Sequence, residues 1–190
     1  MMTPSHFLMT AALHKGYKRR LSIHRGGVLL GSVAPDIPLF LLTLGASVSA
    51  WLRGVRDLGD VHGLMFEDRF FHDPLWIVSH NFLHAPLLLA AGLAIFWRDR
   101  NRIGSWRHGA FWFLLAATLH TGIDVLTHHS DGPLLFFPFD WNYRFPSPVS
   151  YWEAAYFGRQ FFVLELLLDI TLTVYLFRGR LAGRPGRAPP

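Results

Sequence analysis

The sequence predicts an all-α, polytopic membrane helical bundle with about four transmembrane helices plus an N-terminal helix. Three observations predict it: four long apolar runs, basic residues that alternate between loops, and tryptophans near the ends of the runs. Of the 190 residues 51% are hydrophobic and only 16% charged, where ordinary soluble domains carry about 25% charged residues.

The elements follow in chain order. The opening stretch MMTPSHFLMTAALHKG is apolar but too short to span a bilayer. It lacks the charged start and small-residue cleavage site of a signal peptide. Thr3-Pro4-Ser5-His6 opens this N-terminal helix, with Ser5 as the expected N-cap and His6 in the first turn. Apolar runs then cover residues 27–51, 76–97, 109–127 and 160–177. Each approaches the roughly 17–25 residues that cross a bilayer. The first is interrupted by Pro35-Asp36-Ile37-Pro38, which argues against one continuous helix. Pro86 predicts a kink in the second. The loop between the third and fourth runs holds Gly132-Pro133, Pro138, Pro146 and Pro148 and is expected to be irregular, with residues 134–139 lying on or dipping into the interface. Residues 1–178 are expected to form a single integral-membrane domain, and 179–190 a disordered basic tail.

Charge orients the bundle. Lys15, Lys18, Arg19, Arg20 and Arg25 precede the first run; Arg98, Arg100, Arg102 and Arg107 follow the second; Arg178, Arg180, Arg184 and Arg187 follow the fourth. Thirteen of the eighteen basic residues therefore fall on one side, as expected for four spans in a bacterial inner membrane with both termini cytoplasmic. The net charge of +5 then requires no nucleic-acid partner. Trp51, Trp76, Trp97, Trp106 and Trp112 sit near span ends, where amphipathic rings suit the headgroup region. The competing reading, a soluble all-α bundle, also explains helices that are apolar on all faces, but not the alternating loop charge.

Cysteine is absent, so disulfides and thiolate metal sites are excluded. Eleven histidines make imidazole and carboxylate the available metal ligands. His120, Asp124 and His128 recur at i, i+4 and i+8 along one helical face. His80 and His84 repeat that spacing, and Asp36 lies at the proline-flanked break, where a bridging carboxylate or a helix cap is expected. Ionisable groups inside apolar spans are costly and need partners, so each of these has either a structural hydrogen-bonding role or a metal-binding one. Glu165 and Asp169 form another i, i+4 pair in the fourth run, as a further ligand, a general base or a helix–helix contact. His129 competes with His128. His14, His24, His62, His72 and His108 lie near charged loops and are read as solvated. The donor mix without thiolate suits divalent metal ions, zinc foremost and also manganese or iron, and metal-bound water is a nucleophile near neutral pH.

Thr3-Pro4-Ser5-His6, Gly31-Ser32-Val33-Ala34-Pro35-Asp36-Ile37-Pro38, the His80–His84 segment, and His120 to Asp124 with Leu126-Thr127-His128 and Leu134–Phe139 occur in that order. This order resembles the bacterial family called membrane-bound, metal-dependent hydrolases. That family is similar in pattern to the all-α zinc-dependent phospholipase C and single-strand nuclease superfamily. The resemblance covers roughly residues 3–139. It implies His6, Asp36, His80 or His84, His120 and Asp124 as ligands, and His128 as a further ligand or a group hydrogen-bonded to one. The catalytic acids are then Asp36 and Asp124, with Glu165, outside the resemblance, as the candidate base. The chain reads His80-Asn81-Phe82-Leu83-His84-Ala85-Pro86 where that pattern reads His-Arg-x-x-Thr-His-Ser, without its arginine and serine. The function expected is hydrolysis of a small-molecule or lipid ester or phosphoester at a metal site in the bilayer. The alternative is a non-catalytic membrane protein that uses the cluster for structural metal binding or for ion or proton passage.

Overall fold

The computed structural model describes residues 1–55 and 57–181. Helix α1 spans Thr3–Tyr17 with Pro4 in its first turn, where a proline costs no hydrogen bond. Met2, not Ser5, occupies the N-cap. The helix starts three residues earlier than the Ser5 cap implies, and Ser5 is buried within it. Helix α2 (Arg25–Gly31) is capped by His24, whose Nδ1 accepts the Gly27 N–H at 2.9 Å. The chain breaks at residues 32–36 before α3 (Ile37–Leu52), where Pro35 and Pro38 disfavour a continuous helix. Asp36 stands at the N-cap of α3 but makes no side-chain cap bond, so the capping role is overturned and its carboxylate is free to turn inward.

Helix α4 (Leu58–Gly63) runs through a π-helical turn, Leu64–Arg69, into the short α5 (Phe70–His72). Asp73 caps α6 (Pro74–Asn81), accepting the Leu75 N–H at 2.8 Å. A break precedes α7 (Pro86–Phe96), and the two segments bend by 42°, the kink that Pro86 predicts. Helix α8 (Trp106–Thr127) is capped by Ser105, and α9 covers Gly158–Leu181. Thus α9 carries on through residues 179–181, and residues 182–190 of the expected tail lie outside the described residues.

Among the described residues two helices are long and apolar enough to cross a membrane, α8 and α9, or three if the bent α6–α7 pair counts as one span. That is fewer than the four the apolar runs predict. The first run falls short because its break leaves α2 with 7 residues and α3 with 16, while a crossing needs about 17–25.

Helix α8 is the centre of the packing, against α2 on one side and α7 on another. Glycines permit the α2–α8 approach. A Cβ on Gly27 would stand 2.5 Å from the Gly109 carbonyl oxygen, and one on Gly31 would collide with the Phe113 carbonyl. Such backbone-to-backbone contact is how membrane helices gain packing energy without a hydrophobic drive. The α8–α9 loop is fastened to the bundle: Leu134 and Phe137 are buried with Ile77 and Ala85, while Phe136 and Phe139 are exposed. The segment 134–139 therefore packs one side into protein. A second apolar cluster joins Val61, Met65 and Trp76 to Leu39 and Leu42 of α3. The outer faces of α3 and α9 expose Phe40, Leu41, Leu44, Leu164, Leu167 and Ile170, as lipid-facing helices do.

Candidate metal centre

Three elements converge on one point. The break after α2 brings Asp36, the α6–α7 break brings His84, and the inner face of α8 brings His120 and Asp124. One donor atom from each of these four lies within 4.8 Å of all the others. His120 Nε2 is 3.0 Å from Asp124 Oδ2 and 3.4 Å from Asp36 Oδ1. His84 Nε2 is 3.4 Å from Asp36 Oδ1 and 3.6 Å from Asp124 Oδ2. The two Nε2 atoms approach to 3.1 Å.

The other ring nitrogens define the tautomers. His84 Nδ1 meets the His80 carbonyl at 3.0 Å, and His120 Nδ1 meets the Ser32 carbonyl at 2.9 Å. A carbonyl only accepts, so both Nδ1 atoms carry the proton. In the neutral rings both Nε2 atoms then present lone pairs to each other and to two carboxylates. Four electron-pair donors facing one point, in a nearly dry setting, fit a bound cation. The backbone hydrogen bonds on the far nitrogens are the arrangement that orients metal-ligating histidines. The nitrogen–oxygen donor set without sulfur suits zinc, manganese or iron.

Asp124 also serves a second group of donors. Its Oδ1 is 2.9 Å from His6 Nε2, 3.5 Å from His128 Nε2 and 3.0 Å from the Met1 amino group. Asp36, by contrast, turns Oδ1 to the histidines and accepts the Thr3 hydroxyl on Oδ2. Asp124 is thus the carboxylate whose two oxygens face both groups of donors, while Asp36 was the acid the sequence suggested for a bridging role. The divergent starting points of these residues along the chain are reconciled because α1 enters the bundle and stacks the His6 ring on His120 at 3.7 Å. The side chains of His84, His120 and Asp124 are at most 6% exposed and that of Asp36 is 19% exposed, so the group is reached past Asp36.

His80 lies beside the four donors rather than among them. Its ring stacks on His84 at 4.3 Å, and its Nδ1 has no hydrogen-bond partner. His128 is anchored by Asp131, Nδ1 to Oδ1 at 3.0 Å, and Asp131 also accepts the Trp152 indole N–H. Burial opposes the charge on His128, but hydrogen bonds to Asp124 and Asp131 hold its pKa above the ordinary value. Burial works upward on Asp131 too, and the His128 contact brings it below the ordinary value. His129 turns away, stacking on Tyr156 at 3.4 Å with Nδ1 on the Ser147 carbonyl, which separates it from His128. His108, read as solvated, is buried at 2% exposure against Trp112, because α2 covers that face of α8.

Glu165 and Asp169 meet α1 instead of the four donors. Glu165 accepts the Met2 N–H at 2.8 Å and Asp169 the Ser5 hydroxyl at 2.9 Å. Asn81, where the resembled pattern has arginine, accepts the Leu134 N–H at 2.9 Å. Sequence reasoning gave no role to Asp131, whose i, i+3 spacing from His128 was the available signal, nor to Thr3 and Ser32, which it quoted only as parts of the resembled motifs.

The family model described as YdjM inner membrane protein matches residues 1–182, and the chain belongs to that bacterial inner-membrane family. No curated protein and no solved structure matches the chain.

Proposed function

We propose that this member of the YdjM inner membrane protein family is an integral-membrane, metal-dependent hydrolase acting on an ester or phosphoester. The observation that carries the reading is the convergence of two lone-pair nitrogens and two carboxylates on one point. Asp36, His84, His120 and Asp124 would hold the first ion. His6 and His128, on the other oxygen of Asp124, supply donors next to it. Zinc is the metal this donor set favours. A metal in such a site would acidify a bound water and act as a Lewis acid on the phosphoryl or carbonyl oxygen of the group under attack. The chain's own contribution is to fix the donors through the Ser32 and His80 carbonyls, to exclude bulk water, and to leave Asp36 as the open side. The resemblance to membrane-bound metal-dependent hydrolases supports the same reading. Glu165 is read as the group that secures the start of α1, and with it His6, rather than as the base.

For topology, α2 and α3 together are read as a further broken crossing. This makes an even number of spans and puts both termini on the basic, cytoplasmic side. The exposed apolar face of α3 supports it.

One observation favours the alternative of a closed, structural metal site: three of the four ligand side chains are at most 6% exposed, and structural sites lack an open position. The test is metal analysis of detergent-purified protein beside His120→Ala, with a hydrolysis screen of phosphomonoester, phosphodiester and carboxylester substrates with and without chelator. The hydrolase reading expects near-stoichiometric metal in the wild type, little in His120→Ala, and turnover that chelator abolishes. Bound metal without turnover on any substrate selects the structural site. Equal, substoichiometric metal in both proteins overturns the metal centre itself.

A further inference from the structure

A lone guanidinium stands beside the centre. Arg144 lies in the α8–α9 loop, half-buried, and makes no ion pair among the described residues. One Nη1 donates to the Gly132 carbonyl; the rest of its donor fork is unspent. The guanidinium carbon sits 5.0 Å from the Phe70 ring and 5.4 Å from the Phe71 ring. Phe70 packs on His80 at 5.0 Å, and His80 stacks on the ligand His84 at 4.3 Å. Arg144 is thus two aromatic rings from the metal donors.

Its position is held from several directions. Leu134 and Arg144 pair in an antiparallel bridge, and Leu135 N–H donates to the Tyr143 carbonyl at 3.2 Å. Leu134 is itself anchored by the buried Asn81 amide, next in sequence to His80. Burial pushes the guanidinium pKa down to about 10, with the Asp131 charge opposing, which leaves a full positive charge at neutral pH. A half-buried cation that feels the Asp131 charge but bonds directly to no carboxylate among the described residues is costly, and the planar fork matches phosphate or carboxylate in a bidentate fashion.

We propose that Arg144 is the anion-recognition residue of this site and that the substrate carries a phosphate group, held by the guanidinium fork at a distance from the bond that is cleaved. The inference deepens the hydrolase reading and rests on it. Its spacing through Phe70 and His80 keeps Arg144 off the reacting atoms, so it acts on binding and specificity.

The test measures ligand-induced thermal stabilisation of the full-length protein in nanodiscs, a readout that requires no turnover. Soluble glycerol 3-phosphate is compared with glycerol, and nanodiscs containing phosphatidate with nanodiscs containing diacylglycerol; the two pairs separate a free phosphoester from a lipid headgroup. Each is run on wild type, Arg144→Lys and Arg144→Gln, with metal content measured alongside. The expected result is stabilisation by at least one phosphate-bearing probe and by neither neutral analogue. Affinity for that probe should fall about tenfold or more in Arg144→Gln and less in Arg144→Lys, since loss of one charge-assisted contact is of that size. Metal content should be unchanged in both variants. Equal response of the wild type to phosphate and neutral probes overturns the proposal, whatever the variants do. So does unweakened phosphate binding by Arg144→Gln. Absence of metal from the wild type, with anion selectivity intact, would sink the hydrolase reading alone.

Discussion

Helices α8 and α9 look alike in sequence and behave differently in the fold. Both are long and apolar, 22 and 24 residues, and each carries an ionisable pair at i, i+4: His120 with Asp124, and Glu165 with Asp169. On α8 the pair faces ionisable groups from other elements, Asp36, His84 and His6, together with His128 at the end of its own helix. On α9 the pair faces a backbone N–H and a hydroxyl of α1, while Lys15 reaches the Tyr175 and Leu176 carbonyls further along. One pair belongs to a cluster that could hold a cation; the other fastens two helices. Spacing makes both pairs possible, and the chemistry of the partners decides what each becomes.

The largest effect expected from breaking this contrast is at Asp124. Asp124→Asn removes the carboxylate shared by both donor groups, and metal content should fall by about tenfold or more. Asp169→Asn keeps the shape and the Ser5 bond. It should leave metal within about twofold of wild type and cost less than about 1 kcal/mol, in the range of interhelical hydrogen bonds in membranes. Metal analysis and thermal unfolding of both variants check this. Comparable metal loss in the two would mean the pairs are not different in kind.

Acidification sharpens the contrast next. Ligand imidazoles must be unprotonated, so protons compete with the metal. Between about pH 7.5 and 5.5, across the ordinary imidazole value of about 6.5, metal retention after gel filtration should fall steeply. The α1–α9 fastening has no imidazole among its polar contacts, and hydrogen-exchange protection of α9 should stay constant over that interval. Retention that is flat with pH would speak against histidine ligation.

The smallest effect is expected on the outer face of α9. Leu166 is 48% exposed, so Leu166→Ala should change the unfolding free energy by less than about 0.5 kcal/mol. The same measurement on Gly31→Ala, where a Cβ meets the Phe113 carbonyl, should show a loss of about 1–3 kcal/mol.

Much of the site was legible along the chain. Helical spacing grouped His84, His120 and Asp124 as candidates, and the structure buries them close together; the prolines around Asp36 announced the break that delivers it. Less legible were the distinctions among similar residues. His80 and His84 share a spacing, yet the break after Asn81 turns only His84 into the group. Ser5 looked like a cap because serine favours caps, but Pro4 let the helix begin earlier and the hydroxyl went to Asp169. His108 lay among charged neighbours in sequence and is buried because α2 folds over it. Asp124 rather than Asp36 became the shared carboxylate, since α1 folds back to bring His6 and Met1 to its second oxygen.

By itself the sequence determined the helical class, the apolar runs, the clustering of basic residues between them and the residue types able to bind a cation, because these depend on composition and on spacing within single helices. Only the tertiary structure decided how many of the described helices are long enough to cross, which acid is shared, and which pair joins a group that could hold a cation. An apolar stripe reads the same whether lipid or protein lies against it. A buried acid reads the same whether its neighbour is an imidazole or an amide, and only contacts between elements distant in the chain tell them apart.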